Sequence, residues 1–439
     1  MNYPEALEYL DSFVNYEKEK SFQYPEALNL DRMRRLAKVV GNPQNAYPSV
    51  IIAGSKGKGS VAAILSSILR MENLKVGLYT SPHLIDVRER IQVNGLWINE
   101  IRFAEYLSQF RKILDEYSWR KDMPTYFEVL TAVAFFHFKE MKVQAAVLEV
   151  GLGGLYDSTN VAEAKVVGMT PIALEHTDKL GKTISKIAVQ KCGVIKGREY
   201  VVSAPQVREA EDVIVKAVAD REATLFWVGR DIRCLERGYG EDFQKLDVRT
   251  PFGNYYDLSL HLLGEHQMEN AAQAITLAKC FEEKTRIKIS DPAVRQGLRD
   301  ARWPGRLEKI SDHPCVVLDG AHTRESACRM MQGLKRHFHF SSLVVVLGIS
   351  EDKDLQGILE ELLTETGIVF ATESGHARAL PAEKIAEAAQ NLGKEIRVEK
   401  NLEEVLLKAR KEAGEDGLVL VTGSLYLVAR ARQSLTGKI

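Results

Sequence analysis

The sequence has no long apolar run and no excess of charge of either sign. Its 439 residues carry 59 Lys and Arg against 60 Asp and Glu, a formal net charge of -1. A near-neutral chain gives no reason to expect nucleic acid or an anionic membrane as its main partner. No stretch is apolar for long enough to span a bilayer, and the start MNYPEALEYLDSF is too polar for a secretory signal. The composition therefore predicts a cytoplasmic protein.

Cysteine is scarce and shows no pattern. The cysteines are odd in number, far apart and without a C-x-x-C pair: Cys192, Cys234, Cys280, Cys315 and Cys328. Such spacing argues against a metal-binding or disulfide framework. We interpret them as free thiols in a reducing compartment.

Short apolar runs alternate with helix-period segments over most of the chain. Four runs in the first half predict strands, at 48–54, 76–80, 145–150 and 166–170. The segment 128–139 predicts a helix with Phe and Val on one face. This alternation indicates an α/β domain around a mostly parallel sheet. Polar–apolar alternation from Cys234 to Leu263 predicts an inserted set of antiparallel strands, followed by a helix near His266.

Pro304 and Gly305 interrupt the pattern and predict a linker. Beyond them the alternation restarts with CVVLD, SLVVVLG, GIVFATE and GLVLVTG, each followed by a helix-like segment. We therefore predict an N-terminal α/β domain over 1–300, a linker over 301–308 and a smaller, Rossmann-like α/β domain over 309–439.

A glycine-rich loop, G-S-K-G-K-G-S, joins the first predicted strand to a helix at Gly54–Ser60. Glycines let several N–H groups point at one anion, and the helix N-terminus adds its dipole. Lys58 would reach the β- and γ-phosphates of ATP, and the Ser60 hydroxyl would lie near magnesium. A flexible turn is the alternative, which the flanking strand and helix disfavour. The loop predicts ATP binding by Gly54, Gly57, Lys58, Gly59 and Ser60.

Gly59 separates Lys58 from Ser60, so the loop departs from the strict Walker pattern. Gly-Lys-Gly-Ser after a strand resembles the loop of the Mur ligase superfamily, in its folylpolyglutamate synthase and dihydrofolate synthase branch. Other segments resemble that family's landmarks in the same order: TSPHLIDVRERIQVNG, LEVGLGGLYDSTN, EHTDKLGKTISKIAVQKCGVIK, GEHQMENAAQAI, RWPGRLE, LDGAHT and VTGSLYLVARAR.

The resemblance implies a P-loop ATPase domain with a folate site, followed by a glutamate-ligase domain. In such enzymes ATP phosphorylates a carboxylate to an acyl phosphate, and an amine then displaces phosphate. The transition states carry dense negative charge, so cations and oriented N–H donors are needed more than a strong nucleophile.

The resemblance also implies a magnesium site and four catalytic residues. Glu149, Ser81 and His176 would bind the metal with Ser60, and such a mixed O/N set with waters suits magnesium. Taken singly, Glu149 could instead cap a strand end, and His176 could be an ordinary loop histidine. Lys191 matches a lysine that the family carries as a carbamate, an acidic group that would join the metal ligands and orient magnesium, although a surface helix lysine is the alternative. The expected catalytic residues are Lys58, Glu149, His176 and Lys191.

Further nucleotide contacts are implied at Asn270, Arg306, Asp319 and His322. Arg306 falls on the predicted linker, so it would reach the phosphates only when the domains close over ATP. An ordinary histidine at a helix N-terminus is the alternative for His322.

For the pterin, the resemblance implies contacts in three short segments. Tyr126 and Phe127 could stack on a flat heterocycle, although aromatic residues at such spacing are more often part of a core. The full predicted set is Asp31, Arg32, Thr125, Tyr126, Phe127, Glu128, Tyr156, Asp157 and Ser158.

Several positions depart from the common bacterial pattern: Ser55-Lys56, Leu155-Tyr156, Glu175 and Thr323. The loop lysine, Tyr-Asp, MPTYF and DGAHT more closely resemble eukaryotic folylpolyglutamate synthases, which extend the glutamate tail. Leu155 stands where the common bacterial pattern has Arg. We therefore predict addition of L-glutamate to a reduced folate, by a monomer that uses ATP and magnesium.

Three alternatives stay open. A bifunctional enzyme would also act on dihydropteroate. A Mur-type ligase could act on another carboxylate, such as a peptidoglycan precursor, although TSPHL and RERI argue against it. A non-catalytic nucleotide-binding protein is the third, and the intact Lys58, Glu149, His176 and Lys191 argue against it.

Overall fold

Two large sheets and one small sheet organise the chain. The computed structural model describes residues 1–437 except 20–23, 118, 120, 121, 365 and 377. The first sheet has the strand order β4-β3-β2-β5-β1-β6-β7-β8. Its strands are β1 (Ser49–Ala53), β2 (Val76–Tyr79), β3 (Ile91–Val93), β4 (Leu96–Trp97), β5 (Ala145–Glu149), β6 (Val166–Met169), β7 (Tyr200–Ser203) and β8 (Thr224–Trp227).

The six strands from β2 to β8 in this order run parallel, and β3 and β4 add an antiparallel hairpin at one edge. Every residue of β1 is buried, as its unbroken apolar run SVIIA indicates for a strand that is covered on both faces. The prediction of a mostly parallel sheet is confirmed.

Helices cover both faces of the first sheet. In chain order they are α1 (Tyr3–Asp11), α2 (Tyr24–Ala27), α3 (Leu30–Val39), α4 (Lys58–Met71), α5 (Glu100–Glu116), α6 (Tyr126–Glu140), α7 (Thr177–Leu180), α8 (Ile184–Cys192), α9 (Arg208–Asp220), α10 (Glu265–Thr285) and α11 (Asp291–Asp300). One apolar core joins the sheet to α4, α10 and α11. The core on the other face includes α1, α3, α5, α6, α8 and α9. Short 3₁₀ turns lie at Pro43–Asn45, Val87–Arg90 and Ser158–Val161.

The predicted set of antiparallel strands is confirmed as a three-stranded sheet. Its strands are β9 (Arg233–Tyr239), β10 (Gln244–Thr250) and β11 (Gly253–Leu260). Leu246, Val248 and Leu258 are buried in the core shared with α10 and α11. This small sheet therefore packs on α10 and α11, and the chain continues from it into α10.

The third sheet has the order β12-β13-β17-β14-β15-β16, parallel except for β12. Its strands are β12 (Glu308–Asp312), β13 (Cys315–Leu318), β14 (Leu343–Leu347), β15 (Ile368–Ala371), β16 (Arg397–Val398) and β17 (Leu418–Thr422). Helices α12 (Arg324–His337), α13 (Leu355–Leu363) and α14 (Ala382–Gln390) cover one face. Helices α15 (Leu402–Ala413) and α16 (Leu425–Thr436) cover the other.

The Rossmann-like character of the C-terminal region is confirmed by this doubly wound sheet. Residues 301–307 contain no helix or strand, and β12 begins at Glu308. This supports the division at 301–308, which stays a prediction. Within the described residues, no helix is both long and apolar enough to cross a membrane.

Functional side chains collect where parallel strands end, since ligands of open α/β sheets bind outside the carboxyl ends of the strands. In the first sheet, the glycine-rich loop follows β1, Ser81 lies just beyond β2, and Glu149 ends β5. In the third sheet, Asp319 follows β13 directly. Residues of both edges line the same cavities.

Candidate active site

The loop between β1 and α4 is folded so that only glycine fits at three positions. Gly54 and Gly57 have φ of +136° and +86°, which disfavour a side chain. A Cβ on Gly54 would also overlap Thr170, and one on Gly57 would lie 2.8 Å from Asn270 Oδ1. A Cβ on Gly59 would lie 2.7 Å from the Trp303 ring. The backbone therefore curls tightly ahead of α4, as an anion-binding loop requires.

Two lysines converge on the carbonyl of Gly54. Lys58 Nζ donates to Gly54 O at 3.1 Å and to Ser55 O at 3.4 Å. Lys191 Nζ donates to Gly54 O at 2.7 Å and to Glu175 Oε1 at 2.8 Å. Burial lowers the pKa of Lys191 to about 8, although Glu175 opposes this effect. Burial acts against ionisation of Glu175, but Lys191 and Lys58 hold its pKa down at about 2.

Glu149 is buried at the end of β5 and faces the loop after β2. Its Oε2 accepts the backbone N–H of Ser81 at 3.1 Å. Burial raises the pKa of Glu149 to about 7, while Lys58 exerts the strongest opposing effect. Burial makes the negative charge of Glu149 costly, so a cation bound beside this carboxylate would offset that cost.

The oxygen and imidazole donors of this region fit magnesium. Within the described chain no group of three or more His, Cys, Asp or Glu forms a ready-made metal cluster. Magnesium commonly takes only one or two carboxylates and keeps waters and phosphate oxygens as its other ligands. Glu149, with the hydroxyls of Ser60 and Ser81, matches that chemistry. His176 follows Glu175 and precedes α7 with left-handed φ and ψ of 46° and 42°.

A cleft of about 730 Å³ lies between the two sheet edges. Of the predicted nucleotide contacts, it is lined by Gly57, Ser60, Asn270, Arg306, Asp319 and His322. The N-terminus of α4 lies in its wall, so unpaired backbone N–H groups and the helix dipole favour an anion there. The cleft therefore has the features of a nucleotide site.

The C-terminal wall of this cleft is held by Asp319. Its carboxylate accepts the backbone N–H groups of Leu307 at 2.9 Å and Ala321 at 2.8 Å, which joins the connecting segment to the end of β13. His322 Nδ1 lies 2.8 Å from Gly320 O. Burial, with Lys56 nearby, lowers the pKa of His322 to about 4. His322 is therefore neutral at physiological pH.

A second cavity of about 410 Å³ adjoins the first. Arg306 lines both cavities, while Ser81 and Glu149 line the smaller one. Its other walls include the apolar or aromatic side chains of Pro82, Leu84, Trp97, Trp303 and Leu425. A bound molecule there would therefore have aromatic surfaces beside it and a polar end at Glu149.

The loop after β2 is fixed by buried charges. Glu89 accepts the backbone N–H groups of Leu84 at 2.8 Å and Ile85 at 2.7 Å. Arg90, with a side chain 2% exposed, holds Glu17 with two bonds of 2.7 and 2.8 Å and donates to His83 Nδ1 at 2.9 Å. These contacts tie the N-terminal segment to the loop that carries Ser81.

The predicted pterin residues lie on the other side of the β5 end, and most of them bond within the protein. Arg32 donates to Glu128 at 2.7 Å and to Asp122 at 3.2 Å. Asp31 is exposed and pairs with Arg34 at 2.7 Å.

The remaining members of that set form a compact shell. Thr125 caps α6, and Asp157, which precedes the turn containing Ser158, accepts the N–H groups of Gly151 and Leu152, each at 3.0 Å. Tyr126 is buried, Phe127 packs against Gly151, and Tyr156 packs edge-on against Tyr24. Phe127 is therefore the aromatic side chain of this set that packs closest to the end of β5.

Sequence reasoning missed several residues that shape the site. Trp303 packs on the glycine-rich loop, Glu175 pairs with Lys191, and Arg90 anchors the Ser81 loop. In the sequence, Glu175 stands out only as a departure from the usual Asp. The RWPGR and RERI segments resemble family landmarks, but nothing local to them indicates these contacts.

Comparisons with known proteins agree with this geometry. Residues 52–278 match the model described as Mur ligase middle domain, and residues 305–425 match the model described as Mur ligase, glutamate ligase domain. The chain is 33% identical over 443 residues to the folylpolyglutamate synthase of Lacticaseibacillus casei, covering 100% of this chain and 99% of the relative. It is 34% identical over 414 residues to a dihydrofolate synthase/folylpolyglutamate synthase of Bacillus subtilis, covering 92% and 94%.

A solved structure also matches the whole chain. The Mycobacterium tuberculosis folylpolyglutamate synthase complexed with ADP superposes with a TM-score of 0.90 at 31% identity, covering 100% of this chain and 98% of that one. The similarity thus extends over both large sheets.

Proposed function

Because this chain belongs to the folylpolyglutamate and dihydrofolate synthase family of Mur ligases, we propose that it extends the glutamate tail of a reduced folate. The enzyme is an ATP-dependent ligase that joins glutamate to folates. The products are the lengthened folate, ADP and phosphate. Tail extension of a reduced folate, as opposed to ligation to dihydropteroate, is the specific proposal.

One observation carries the proposal: Arg306 lines both cavities, and Glu149 and Ser81 lie in the smaller one. ATP in the larger cleft would present its γ-phosphate toward Arg306 and Lys58. The glutamate tail of a folate, reaching into the smaller cavity, would present a carboxylate toward the same place. The arrangement thus brings a phosphoryl donor and a carboxylate acceptor together.

In the first step, a carboxylate oxygen of the folate tail attacks the γ-phosphorus, and ADP leaves. The backbone N–H groups at the start of α4 and the charges of Lys58 and Arg306 stabilise the negative charge on the transferring group. The side chains of Trp303 and Leu425 exclude water from the side of the smaller cavity, which protects the acyl phosphate from hydrolysis.

In the second step, the amine of L-glutamate attacks the acyl carbon, and inorganic phosphate leaves. The glutamate ammonium gives up one proton to solvent to become a nucleophile and a second to the departing phosphate as the amide forms, so the amide nitrogen keeps one hydrogen. His322 lines the larger cleft and is neutral. It therefore adds neither positive nor negative charge beside the nucleotide. The sites proposed for ATP are Gly54, Gly57, Lys58, Gly59, Ser60, Asn270, Arg306, Asp319 and His322.

We propose that Ser60, Ser81, Glu149, His176 and, as a carbamate, Lys191 hold magnesium, which neutralises phosphate charge when bound. Glu149→Gln should raise the magnesium concentration needed for half-maximal turnover by about tenfold or more, because the carboxylate charge is lost while its shape remains. A magnesium titration of ADP release measures this shift. Glu116→Gln, at the C-terminal end of α5, is the matched control. An unchanged titration for Glu149→Gln would exclude Glu149 as a ligand.

Carbamylation of Lys191 stays a proposal. The lowered pKa of about 8 favours the neutral amine that reacts with carbon dioxide. The carbamate would face Glu175 as a second anion, so Glu175 must turn away or bind a cation when the group forms. NMR of the protein equilibrated with ¹³C-labelled bicarbonate should show a carbamate signal that Lys191→Arg removes. The predictions of a monomer and of a cytoplasmic location also stay open.

The acceptor is tested by ADP release with ATP, magnesium and glutamate. We expect turnover with tetrahydrofolate and none with dihydropteroate, because Lys56 and the Tyr156-Asp157 pair resemble tail-extending enzymes. Turnover with both acceptors would establish the bifunctional enzyme, as in the name of the Bacillus subtilis relative. Turnover with neither acceptor would contradict the proposed substrate while leaving the ATP site intact.

A further inference from the structure

The residues of α4 that line the smaller cavity lie on one face of the helix. They recur at intervals of three or four residues and comprise Gly59, Ala63, Ser66, Ser67 and Arg70. A rise of about 1.5 Å per residue separates Gly59 from Arg70 by about 16 Å along the helix axis. Lys58, which adjoins Gly59, acts on the charge of Glu149. The smaller cavity is therefore an elongated channel that leads from the reacting groups to the C-terminal turn of α4.

Two tryptophans mark the ends of this channel, and both line it. Trp303 packs on Gly59 at the reacting end. At the other end, Arg70 Nη1 donates to Asn94 O at 3.1 Å, in the turn between β3 and β4, and Trp97 ends β4. A ligand that extends along α4 from the reacting groups would therefore reach Trp97 and Arg70.

Three arginines line the channel without forming an ion pair with any described residue: Arg70, Arg302 and Arg306. The hydrogen bonds that the structure describes for these guanidinium groups all go to backbone carbonyls. Each group has five N–H donors in a planar fork, so each keeps donors for a ligand. A carboxylate accepts two parallel hydrogen bonds from such a fork. The channel therefore has unused capacity to bind carboxylates.

The acidic residues of the channel do not neutralise these arginines. Glu89 accepts backbone N–H groups of its own loop, and Asp300 accepts a hydrogen bond from Gln296 Nε2 at 2.5 Å. Glu149 is assigned to magnesium above. Anionic ligands are therefore favoured along the channel, and a ligand with several carboxylates is favoured most.

A chain of γ-linked glutamates matches this channel in chemistry and in length. Each linkage leaves one free α-carboxylate, one amide and two methylene groups. The arginines would bind the carboxylates, the Ser66 hydroxyl and the Gln92 amide would bind the linking amides, and Trp97 would cover the methylene groups. One γ-linked unit extends about 6 Å, because it has five backbone bonds where an ordinary residue has three. The channel therefore has room for about two units beyond the one that reacts.

We propose that this channel binds the glutamates already attached to the folate, and that Arg70 binds the α-carboxylate of a unit about two places before the reacting end. The inference rests on the proposed function and names its preferred substrate class, a reduced folate that already carries several glutamates. The reacting γ-carboxylate stays between Glu149 and Arg306, while Arg302, next to Trp303, offers a further carboxylate site along the way. Arg70 determines specificity for tail length and takes no part in phosphoryl transfer.

Steady-state kinetics with tetrahydrofolate acceptors of increasing tail length tests the inference. Arg70→Gln should raise the KM for the acceptor with three glutamates about tenfold, as expected for the loss of a charge-assisted bidentate contact. The KM for the acceptor with one glutamate should change by less than about twofold, because its tail ends before Arg70. Arg70→Lys keeps the charge without the fork and should give an intermediate KM. The matched control is Arg295→Gln, an exposed arginine that donates to Tyr256 O at 2.8 Å and should leave every KM unchanged.

Equilibrium binding separates this inference from the proposed function. Calorimetry of tetrahydrofolate triglutamate, with ADP in place of ATP, needs no turnover, and Arg70→Gln should raise the Kd about tenfold. Unchanged Kd and KM values would overturn the inference, and they are expected if the tail instead enters from the predicted pterin residues on the other side of β5. An equal rise for one and three glutamates would also overturn it, because Arg70 would then act on the part common to all acceptors. Wild-type enzyme that binds the triglutamate through Arg70 but turns over no acceptor would contradict only the proposed function.

Discussion

Replacing Lys58 with alanine should abolish turnover while the protein stays folded. The rate of ADP release should fall by at least about a hundredfold, since one preorganised charge at the transferring phosphoryl group is removed. The loss also reaches Glu149, because Lys58 is the strongest of the groups that lower its pKa, so a larger fraction of this carboxyl would be protonated.

The cost in stability should be small. Among the residues that the structure describes, Lys58 Nζ donates only to the carbonyls of Gly54 and Ser55, at 3.1 and 3.4 Å, and these oxygens can accept from water instead. We expect a loss of about 1 kcal/mol in the free energy of unfolding. Lys75→Ala, just before β2 and at the opposite end of the sheet, is the matched control and should retain full activity. Turnover near the wild-type rate in Lys58→Ala would refute the assignment of the phosphate loop.

Replacing Arg90 with methionine should cause the largest loss of stability among the variants considered. The substitution removes both bonds to Glu17 and the bond to His83. Breaking a buried ion pair on one side costs about 3–5 kcal/mol. Because the Glu17 side chain is 37% exposed and regains some water, we expect about 3 kcal/mol, at the lower end of that range.

Tryptophan fluorescence during chemical denaturation measures this effect selectively. All 4 tryptophans precede β12, at positions 97, 119, 227 and 303, so the signal reports the region that contains Arg90. Arg198→Met, which removes an exposed ion pair with Glu222, should change the unfolding free energy by less than about 0.5 kcal/mol. An equal effect of the two substitutions would mean that the Arg90 cluster contributes no more than a surface pair.

A double-mutant cycle separates the pairing from other effects of Arg90. If the bonds to Glu17 account for most of the loss, Glu17→Gln and Arg90→Met together should cost clearly less than the sum of the single changes. The Ser81 loop should also become less ordered in Arg90→Met, because His83 loses its anchor. The double-mutant cycle therefore tests whether Glu17 is the partner that matters.

The local elements of the fold were predictable because each is encoded by adjacent residues. The runs predicted at 145–150 and 166–170 correspond to β5 (Ala145–Glu149) and β6 (Val166–Met169). The glycine-rich loop lies between a strand and a helix as predicted, since positive φ at Gly54 and Gly57 requires glycine. Hydrophobic periodicity and glycine placement are properties of the chain itself.

The site was predictable only in part. Ser81 and Glu149 are 68 residues apart and meet because β5 pairs with β2, an order that no local pattern specifies. Their shared role in binding magnesium is implied only by the resemblance to a family. The predicted pterin contact Asp31 stays a prediction, although its side chain is exposed and paired with Arg34.

The sequence by itself determined the strands and helices with clear periodicity, the phosphate loop and the family, because these depend on periodicity, backbone freedom and ordered motifs. Tertiary structure alone decided which charges are buried together. Arg90 meets Glu17 across 73 residues, and Lys191 reaches the Gly54 carbonyl across 137. Such environments depend on strand order and on the docking of distant segments. Chain neighbours do not encode them, because burial and pairing are set by whichever remote side chains fill the surrounding space.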